Sequence, residues 1–419
     1  MTLKSEGSIP LNWNELANFA PKESNRINGA TNSYALLRLF EKPENNVKVT
    51  LYRDHHAWCP YCQKVWLWLE WKRIPYKIKK VTMRCYGKKE SWYLNKVPSG
   101  MLPAVEIDGQ LLTESDEILL ALENRFGPLG TPLEATKALR LRNLERMLFR
   151  AWCLWLCRPS LINSQENSKR EQFQVFAQQM ENSFTDKSPW LDAVFNESGN
   201  SIPGSCDVIF IPYLERMNAS LAYYKGFNLR GQHPLINRWF TALENLEVYR
   251  GTQGDFHTHA HDLPPQMGGC YFNRNQTQKQ FSNSVDSGEG LGEMETSFSQ
   301  PKQEGSYSPE LIALSRVLKH RESLLAVNPL GAELFDQPLR AALTLLIKGQ
   351  ICSPNKGSAS GLRYLKDRIS VPRDMPLLAA RKFRQAIEQT AQMDSSQQGP
   401  SIGTRSRFDQ NPEPFLQNL

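Results

Sequence analysis

Two cysteines lie between two predicted β-strands, and this arrangement limits how the chain can fold more than any other feature. The segment "VKVTLY" (47–52) is rich in β-branched and aromatic residues, and "PYKIKKVTM" (75–83) has the same character. The intervening "CPYCQKVWLWLEWKR" has the pattern of a helix. Together they predict one β-α-β unit in which Cys59 and Cys62 stand at the first turn of the helix.

The placement of Cys59 predicts a reactive thiol. A cysteine at a helix N-terminus faces unpaired backbone N–H groups and the positive end of the helix dipole, which favour thiolate over thiol. Pro60 suits the first helical position, where its missing N–H costs nothing. Cys62 follows one turn later and can attack a mixed disulfide formed on Cys59. Half of a zinc site and inert packing stay open as alternatives, but a CxxC inside a β-α-β unit favours thiol chemistry.

The following segments extend this unit. "KKESWYLNK" (88–96) predicts a second helix, and "PAVEIDGQLLT" (103–113) predicts two short strands joined at Asp108-Gly109, a favoured hairpin turn. "ESDEILLALENRF" (114–126) has acids in its first turn and apolar residues on one face, as an amphipathic helix should. The predicted order is therefore β-α-β-α-β-β-α.

The chain divides into regions that differ in composition and periodicity. Long helical patterns follow the α/β unit, and a stretch rich in Pro, Gly, Gln and Ser interrupts them. The predicted regions are an N-terminal extension (1–46), an α/β domain (47–127), an all-helical domain (128–263), a flexible linker (264–305), a helical C-terminal region (306–394) and a disordered tail (395–419).

Composition excludes several classes of function. The 50 Lys and Arg exceed the 43 Asp and Glu by only seven charges, which is too little to argue for nucleic-acid binding. No run of 18 apolar residues exists and the first 20 residues are largely polar, so we expect neither a membrane span nor a secretory signal. Eight cysteines are too few for a disulfide scaffold, which predicts the cytoplasm or another reducing, soluble compartment.

Three motifs resemble known thiol-binding families. "CPYC" resembles the glutaredoxin motif in a thioredoxin-like order of elements. "SGMLPAVEIDG" (99–109) is similar to the glutathione transferase segment in which a cis-proline precedes the third strand, and "TESDEIL" (113–119) resembles the Glu-Ser that starts the next helix of that family. Glutaredoxins lack the Glu-Ser and the following helical domain. Residues 47–263 thus resemble a cysteine-type glutathione S-transferase, the group of the omega and lambda classes and the dehydroascorbate reductases.

The fold that this resemblance implies is an α/β N-terminal thioredoxin-like domain, an all-α glutathione transferase C-terminal domain and a further helical extension. It also implies a site for glutathione as cosubstrate. Leu102, just before the cis-proline Pro103, would pair its backbone with the cysteinyl part of the tripeptide. Glu114 and Ser115 would hold the γ-glutamyl group at a helix N-terminus. Lys89 falls where omega-like members place a lysine that pairs with the glycyl carboxylate.

The activity that the resemblance implies is thiol transfer on a small oxidised or electrophilic substrate. Cys59 would form a mixed disulfide with glutathione or a substrate sulfur, and a second glutathione or Cys62 would resolve it. Tyr52 ends the first strand near the tyrosine of hydroxyl-type members, so a conjugating enzyme with Tyr52 as donor is an alternative. A non-catalytic transferase fold that binds a partner protein is another.

Aromatic residues near the cysteines allow two interpretations. Trp58, Tyr61 and Trp66, with Trp152 and Trp155, could line a pocket for a ring-bearing substrate. Large aromatic side chains are more often part of the hydrophobic core, and we prefer that interpretation.

A histidine-rich segment, "DFHTHAHD" (255–262), lies at the end of the helical domain. His257, His259 and His261 alternate, so they can converge on a metal only if the segment is extended. A hydrogen-bonded docking segment is the preferred interpretation, and we assign no metal site.

The C-terminal region (306–394) has apolar faces and an excess of basic residues. We expect its helices to pack on the transferase body, with partner binding or homodimer formation as the alternative.

One position departs from the transferase pattern. The family's second domain carries a Ser/Thr-x-x-Asp capping box, whereas here Asp207 is preceded three residues earlier by Gly204. Replacing Ser by Gly at a helix N-cap costs at most about 1 kcal/mol, so a weaker cap is expected.

Overall fold

A mixed sheet forms the centre of the first half of the chain. The structure is a computed structural model that describes residues 9–22, 24–196, 198–297, 307–394 and 407–416. Its strands are β1 Leu37–Arg38, β2 Val49–Asp54, β3 Tyr76–Val81, β4 Ala104–Ile107 and β5 Gln110–Thr113. Across the sheet they follow the order β1-β3-β2-β4-β5. Only the pair β2 and β3 is parallel, and the other neighbours are antiparallel.

Helices cover the sheet and make up most of the remaining described chain. The helices up to the end of the predicted helical domain are α1 Trp13–Ala17, α2 Pro60–Trp71, α3 Ser91–Lys96, α4 Ser115–Phe126, α5 Thr136–Cys157, α6 Asn163–Glu181, α7 Ser205–Ser220, α8 Leu229–Gln232, α9 Pro234–Glu244, α10 Glu247–Thr252 and α11 Phe256–Met267. Those that follow are α12 Gln276–Asp286, α13 Pro309–Lys319, α14 Arg321–Val327, α15 Ala332–Lys348, α16 Ala359–Arg368, α17 Leu377–Gln392 and α18 Glu413–Leu416.

The elements β2-α2-β3-α3-β4-β5-α4 have the predicted β-α-β-α-β-β-α order, which confirms the thioredoxin-like fold class. Every residue of α2 from Cys62 to Trp71 is buried, because α2 contacts the sheet as well as α4, α7 and α10. A helix surrounded in this way is apolar all round and shows little amphipathic pattern.

The strand register brings three chain segments to one edge of the sheet. Tyr52 pairs with Ala104, and Ala104 pairs with Thr113. Because β4 is antiparallel to both neighbours, the start of β4 lies beside the ends of β2 and β5. The loop that leads to Cys59 and the N-terminus of α4 therefore adjoin the residues that precede β4.

The second half of the transferase-like region is mainly helical, with α7 at its centre. All residues of α7 are buried, and a π-helical turn (Leu221–Lys225) continues it. The prediction of an all-helical domain misses one hairpin, formed by strands β6 Ala193–Phe195 and β7 Ser201–Pro203. Each strand has only three residues, which is too short to show the alternating pattern that predicts a strand.

Part of the segment predicted as a flexible linker (264–305) is helical and packed. It contains the end of α11 and all of α12, where Val285 is buried. The Asn275 side chain caps α12 by accepting a hydrogen bond from the Gln278 backbone, 2.7 Å away. The Gln278 side chain in turn donates to the Tyr223 carbonyl at 2.8 Å. Polar contacts hold this segment, which explains why a composition-based prediction failed; residues 298–306 lie outside the described part.

The C-terminal region forms a second hydrophobic core with the N-terminal extension. Helices α13, α15, α16 and α17 contribute to it, and Leu16 of α1 is buried within it. It contacts the transferase-like body directly: Val371 donates from its backbone to Thr258 Oγ1 at 3.0 Å, and Lys366 donates to the Asp286 carbonyl at 2.7 Å. The expected packing on the body is therefore observed in the described residues.

The predicted disordered tail (395–419) also contains ordered contacts. Arg407 and Gln410 are buried, and Arg407 pairs with Asp262 at 3.0 Å. A buried arginine needs a carboxylate partner, which local composition does not reveal. Residues 395–406 and 417–419 of that prediction, and residues 1–8 of the N-terminal extension, lie outside the described part. Among the described helices, none is both long and apolar enough to cross a bilayer.

Candidate active site at Cys59

Cys59 is the N-cap residue of α2, as the sequence predicts. Its backbone N–H donates to Asp54 Oδ2 at 3.2 Å, and the Trp58 N–H donates to the same oxygen at 2.6 Å. Asp54 ends β2 and is fully buried. One carboxylate thus joins the strand end to the loop and holds the thiol at the first turn of the helix.

The second cysteine faces the first across one helical turn. Burial and a hydrogen bond to Cys59 raise the pKa of the Cys62 thiol well above its ordinary value. Cys62 therefore stays protonated at neutral pH and can donate its S–H to Cys59. Cys59 is thus the acceptor and Cys62 the donor of the hydrogen bond between them. No disulfide joins the two cysteines.

The segment before β4 lies directly against Cys59. The Leu102–Pro103 peptide bond is cis, as expected from the resemblance. Cys59 Sγ is 3.9 Å from the Leu102 carbonyl oxygen. The Leu102 N–H makes no hydrogen bond to any residue in the described part of the chain. An exposed backbone donor beside the thiol is suited to pairing with an extended peptide.

The other residues expected to bind glutathione lie around this point. Lys89 donates to the Thr82 carbonyl at 2.9 Å. Burial lowers the pKa of Lys89, and electrostatic interactions that include both Cys62 and Cys59 oppose that effect, so its ammonium group is near the cysteine pair. Glu114 is the N-cap of α4 and Ser115 its first residue, at the same sheet edge. Glu114 has a φ of 64°, a conformation that costs a non-glycine residue about 1–3 kcal/mol and often marks functional sites.

Sequence analysis missed a buried arginine from the helical half. Arg216 on α7 donates to the Trp58 carbonyl and stacks over the Trp58 ring, 4.9 Å from its centroid. Burial lowers the pKa of Arg216, while negative charges at Glu215 and Cys59 oppose that lowering. Its positive charge therefore lies close to the Cys59 thiol. Nothing in the local sequence around Arg216 indicates this contact, which arises because α7 packs on α2.

A hydrogen-bond network locks α2 to the helical half behind the thiol. Gln63 accepts from Arg216 at 2.9 Å and donates to Glu215 Oε2 at 3.0 Å. Glu215 Oε1 in turn lies 2.8 Å from His259 Nε2. All four residues are buried, so the network fixes the position of the first turns of α2.

Tyr52 and the aromatic residues take structural positions. The Tyr52 hydroxyl donates to Glu106 Oε2 at 2.8 Å, and burial together with Glu106 raises its pKa to about 12. Because the Tyr52 hydroxyl already donates to Glu106, the alternative of a conjugating enzyme with Tyr52 as donor is not favoured. Of the proposed aromatic wall, only Tyr61 is not buried, and it contacts the ring of Tyr213; the four buried members are Trp58, Trp66, Trp152 and Trp155.

The histidine-rich segment is helical, so the extended arrangement considered from the sequence is wrong. In α11, His257 and His261 lie one turn apart, while His259 points toward Glu215. The apolar residues of the segment, Phe256, Ala260 and Leu263, recur at helical spacing and are buried. This spacing was the signal that could have identified the helix.

Comparisons with known proteins agree with this architecture. Residues 58–125 match the family "Glutathione S-transferase, N-terminal domain". Over 199 residues the chain is 25% identical to glutathione S-transferase DHAR3, chloroplastic, of Arabidopsis thaliana, covering 47% of this chain and 69% of that protein. It is 24% identical over 207 residues to glutathione S-transferase L3 of the same plant, covering 47% of this chain and 79% of that protein.

Solved structures that match part of the chain include a dehydroascorbate reductase from Chlamydomonas reinhardtii. That protein is 19% identical, with a TM-score of 0.39 over 53% of this chain and 95% of its own. Glutathione transferase Omega 3C from Trametes versicolor is 22% identical, with a TM-score of 0.39 over 54% of this chain and 96% of its own. The family match over residues 58–125 agrees with the resemblance that the sequence motifs indicate.

Proposed function

We propose that this protein is a glutathione-dependent thiol transferase and disulfide oxidoreductase with Cys59 as the nucleophile. The observation that carries the proposal is the position of Cys59 between the N-terminus of α2 and the cis Leu102–Pro103 segment, with a protonated Cys62 one turn away. Its relatives are named as glutathione S-transferases, and its N-terminal domain belongs to that family.

The reaction takes two exchanges. The Cys59 thiolate attacks a glutathione mixed disulfide, so that a Cys59–glutathione S–S bond forms while the substrate leaves as a thiolate and is protonated. A glutathione thiolate then attacks the glutathione sulfur of the enzyme adduct, giving glutathione disulfide and free Cys59 thiolate. The net change is reduction of the substrate sulfur to a thiol and oxidation of one glutathione thiol, while the glutathione that the substrate carried passes into glutathione disulfide without a change in oxidation level.

Each expected site residue has a role in this scheme. The Leu102 N–H and carbonyl would pair with the cysteinyl residue of glutathione and present its sulfur to Cys59. The free amides at the N-terminus of α4, with Ser115, would bind the γ-glutamyl carboxylate, and Glu114 its ammonium. Lys89 would bind the glycyl carboxylate, since its ammonium group has donors beyond the one that it gives to Thr82.

Arg216 is a further residue of this site, and the packing of α7 on α2 brings it there. The buried Arg216 guanidinium places a positive charge near Cys59, where it would attract a thiolate. The Asp54 carboxylate is negative and would repel a thiolate, so its role is to fix the backbone of the loop by accepting hydrogen bonds from Trp58 and Cys59.

The test is glutathione-dependent reduction of bis(2-hydroxyethyl) disulfide by the native protein and by Cys59→Ser. The serine variant should lose turnover and should not form a covalent glutathione adduct detectable by intact mass. Cys352→Ser, a buried cysteine in the loop after α15, is the matched control and should retain both. Equal rates for native protein and Cys59→Ser would reject the catalytic role and favour a transferase fold used for partner binding.

A further inference from the structure

A cluster of metal-ligating side chains lies away from the cysteines. His257 and His261 are neighbours on one face of α11, with ring centroids 4.5 Å apart. Asp286 ends α12 and approaches them. One ligand atom from each of these three residues lies within 4.8 Å of the other two. Ligands of one zinc ion, each about 2.0–2.2 Å from the metal, lie closer than this, so a small convergence of the side chains would complete a site.

Two short distances define the cluster. His261 Nε2 is 2.8 Å from Asp286 Oδ1. His257 Nε2 is 3.7 Å from Asp367 Oδ1, a carboxylate on α16. The two imidazoles and the Asp286 carboxylate thus lie together, and the Asp367 carboxylate lies beside His257 on a third helix. Four ligands of this kind are the complement of a tetrahedral metal ion.

One of the imidazoles lacks the partner that its burial demands. His257 is only 3% exposed, and its Nε2 atom makes no hydrogen bond to any residue in the described ranges. At 3.7 Å the Asp367 oxygen is beyond hydrogen-bond distance. A buried ring nitrogen without a partner destabilises the fold, and a bound metal ion would supply that partner.

We propose that His257, His261, Asp286 and Asp367 form a binding site for a divalent transition metal ion of the zinc class. Each imidazole would coordinate through Nε2 and carry its proton on Nδ1. Metal binding would replace the contact between His261 and Asp286 by two bonds to the ion. With two aspartates and a doubly charged ion, the site is electrically neutral, which suits its partly buried position.

The surroundings support this assignment. The Tyr223 hydroxyl lies 3.1 and 3.0 Å from the two carboxylate oxygens of Asp286 and orients the group, as second-sphere donors do in metal sites. The two nearest arginines are already neutralised, because Arg384 pairs with Asp255 and Arg407 pairs with Asp262. Their charges therefore oppose a cation less than unpaired guanidinium groups would.

The ligands come from separate parts of the chain, which gives the metal a structural role. Helix α11 belongs to the transferase-like body, α12 to the segment that follows it, and α16 to the C-terminal region. A bound ion would fasten the C-terminal region to the body, and its binding free energy would add to folding stability. Thiol transfer by Cys59 does not depend on this site, so the two proposals can fail separately.

The experiment is equilibrium titration of chelator-treated full-length protein with zinc, in a background in which Cys59→Ser and Cys62→Ser remove the reactive thiols. One equivalent should bind, and zinc should raise the thermal midpoint. His257→Gln and Asp286→Asn should each weaken binding more than about tenfold, because even second-sphere losses cost metal sites 10- to 100-fold. His320 lies outside the cluster, beside Phe415, so His320→Gln should leave the affinity for zinc unchanged.

Cobalt(II) in the unmutated protein gives a readout that needs no variant. Nitrogen and oxygen ligands should produce only weak visible bands, and bound cobalt should be displaced by one equivalent of zinc. Strong sulfur-to-metal charge-transfer absorption would place the ion on cysteines and overturn the proposal. The same conclusion would follow if no metal binds, or if His257→Gln and Asp286→Asn bind zinc as tightly as the background protein.

Discussion

Gly204, the residue at the start of α7, gives a sharp test of the structure because sequence rules and packing predict opposite results. At a helix N-cap, Ser is preferred over Gly by a few tenths of a kcal/mol, so Gly204→Ser would be expected to stabilise the protein. The structure predicts the reverse. A Cβ atom at this position would lie 2.5 Å from Asp192 Oδ2 and 2.7 Å from the Asp192 backbone oxygen, closer than real Cβ contacts.

The cost of that clash follows from what holds Asp192 in place. Its carboxylate accepts hydrogen bonds from Thr131 N at 2.7 Å and Thr131 Oγ1 at 2.8 Å. Its backbone oxygen accepts from Gly204 N at 2.7 Å and cannot rotate away. Overpacking costs about 1–3 kcal/mol, and loss of one hydrogen bond adds about 1 kcal/mol. After a small gain from the serine cap, Gly204→Ser should destabilise the protein by about 2–3 kcal/mol.

The measurement is urea unfolding followed by circular dichroism and tryptophan fluorescence, with thermal midpoints as a second observable. A loss of this size should lower the thermal midpoint by about 2–3 °C, because the unfolding entropy of a chain of 419 residues is about 0.9 kcal/mol/K. Gly204→Ala is the matched control, since it introduces the same Cβ without the hydroxyl and should be slightly less stable than Gly204→Ser. A serine variant as stable as native protein or more so, with alanine close to native, would refute the predicted clash.

Three further predictions concern Cys62, His56 and Glu70. Cys62→Ser should keep turnover with excess glutathione, because glutathione can resolve the adduct on Cys59, and adduct lifetime by intact mass will report the change. Burial lowers the pKa of His56 well below 6.5, so below pH 6.5 the unfolded state takes up a proton that the folded state does not. The free energy of unfolding should therefore fall by about 1.4 kcal/mol for each pH unit below 6.5. His56→Phe should reduce this loss, which urea unfolding midpoints measured from pH 7 to 5 will show. Glu70→Gln should cost about 3–5 kcal/mol in the same assay, because Arg38, bonded to it at 2.9 and 3.0 Å, would be left buried without a charge partner. An unchanged midpoint for Glu70→Gln would contradict a role for this pair in holding the N-terminal extension.

Local patterns determined the fold class and the position of Cys59 at the start of α2. The strand and helix patterns from 47 to 126 correctly predicted the order of elements, because each pattern reports which face of one element is buried. The CxxC motif indicated the cap position of Cys59, since a Pro at the first helical position is a local signal. The roles assigned to Lys89, Glu114 and Ser115 still stand as predictions that binding experiments must test.

Only the tertiary structure decided which distant groups surround the thiol and how the polar segments pack. Asp54 reaches the loop because β2 ends beneath it, and Arg216 reaches it because α7 packs on α2. The predicted linker became ordered through hydrogen bonds between side chains and distant backbone atoms, as Gln278 shows. Likewise, His257 lies next to Asp367, which is 110 positions further along the chain. Periodicity describes one element at a time, whereas these contacts depend on where separate elements meet in space.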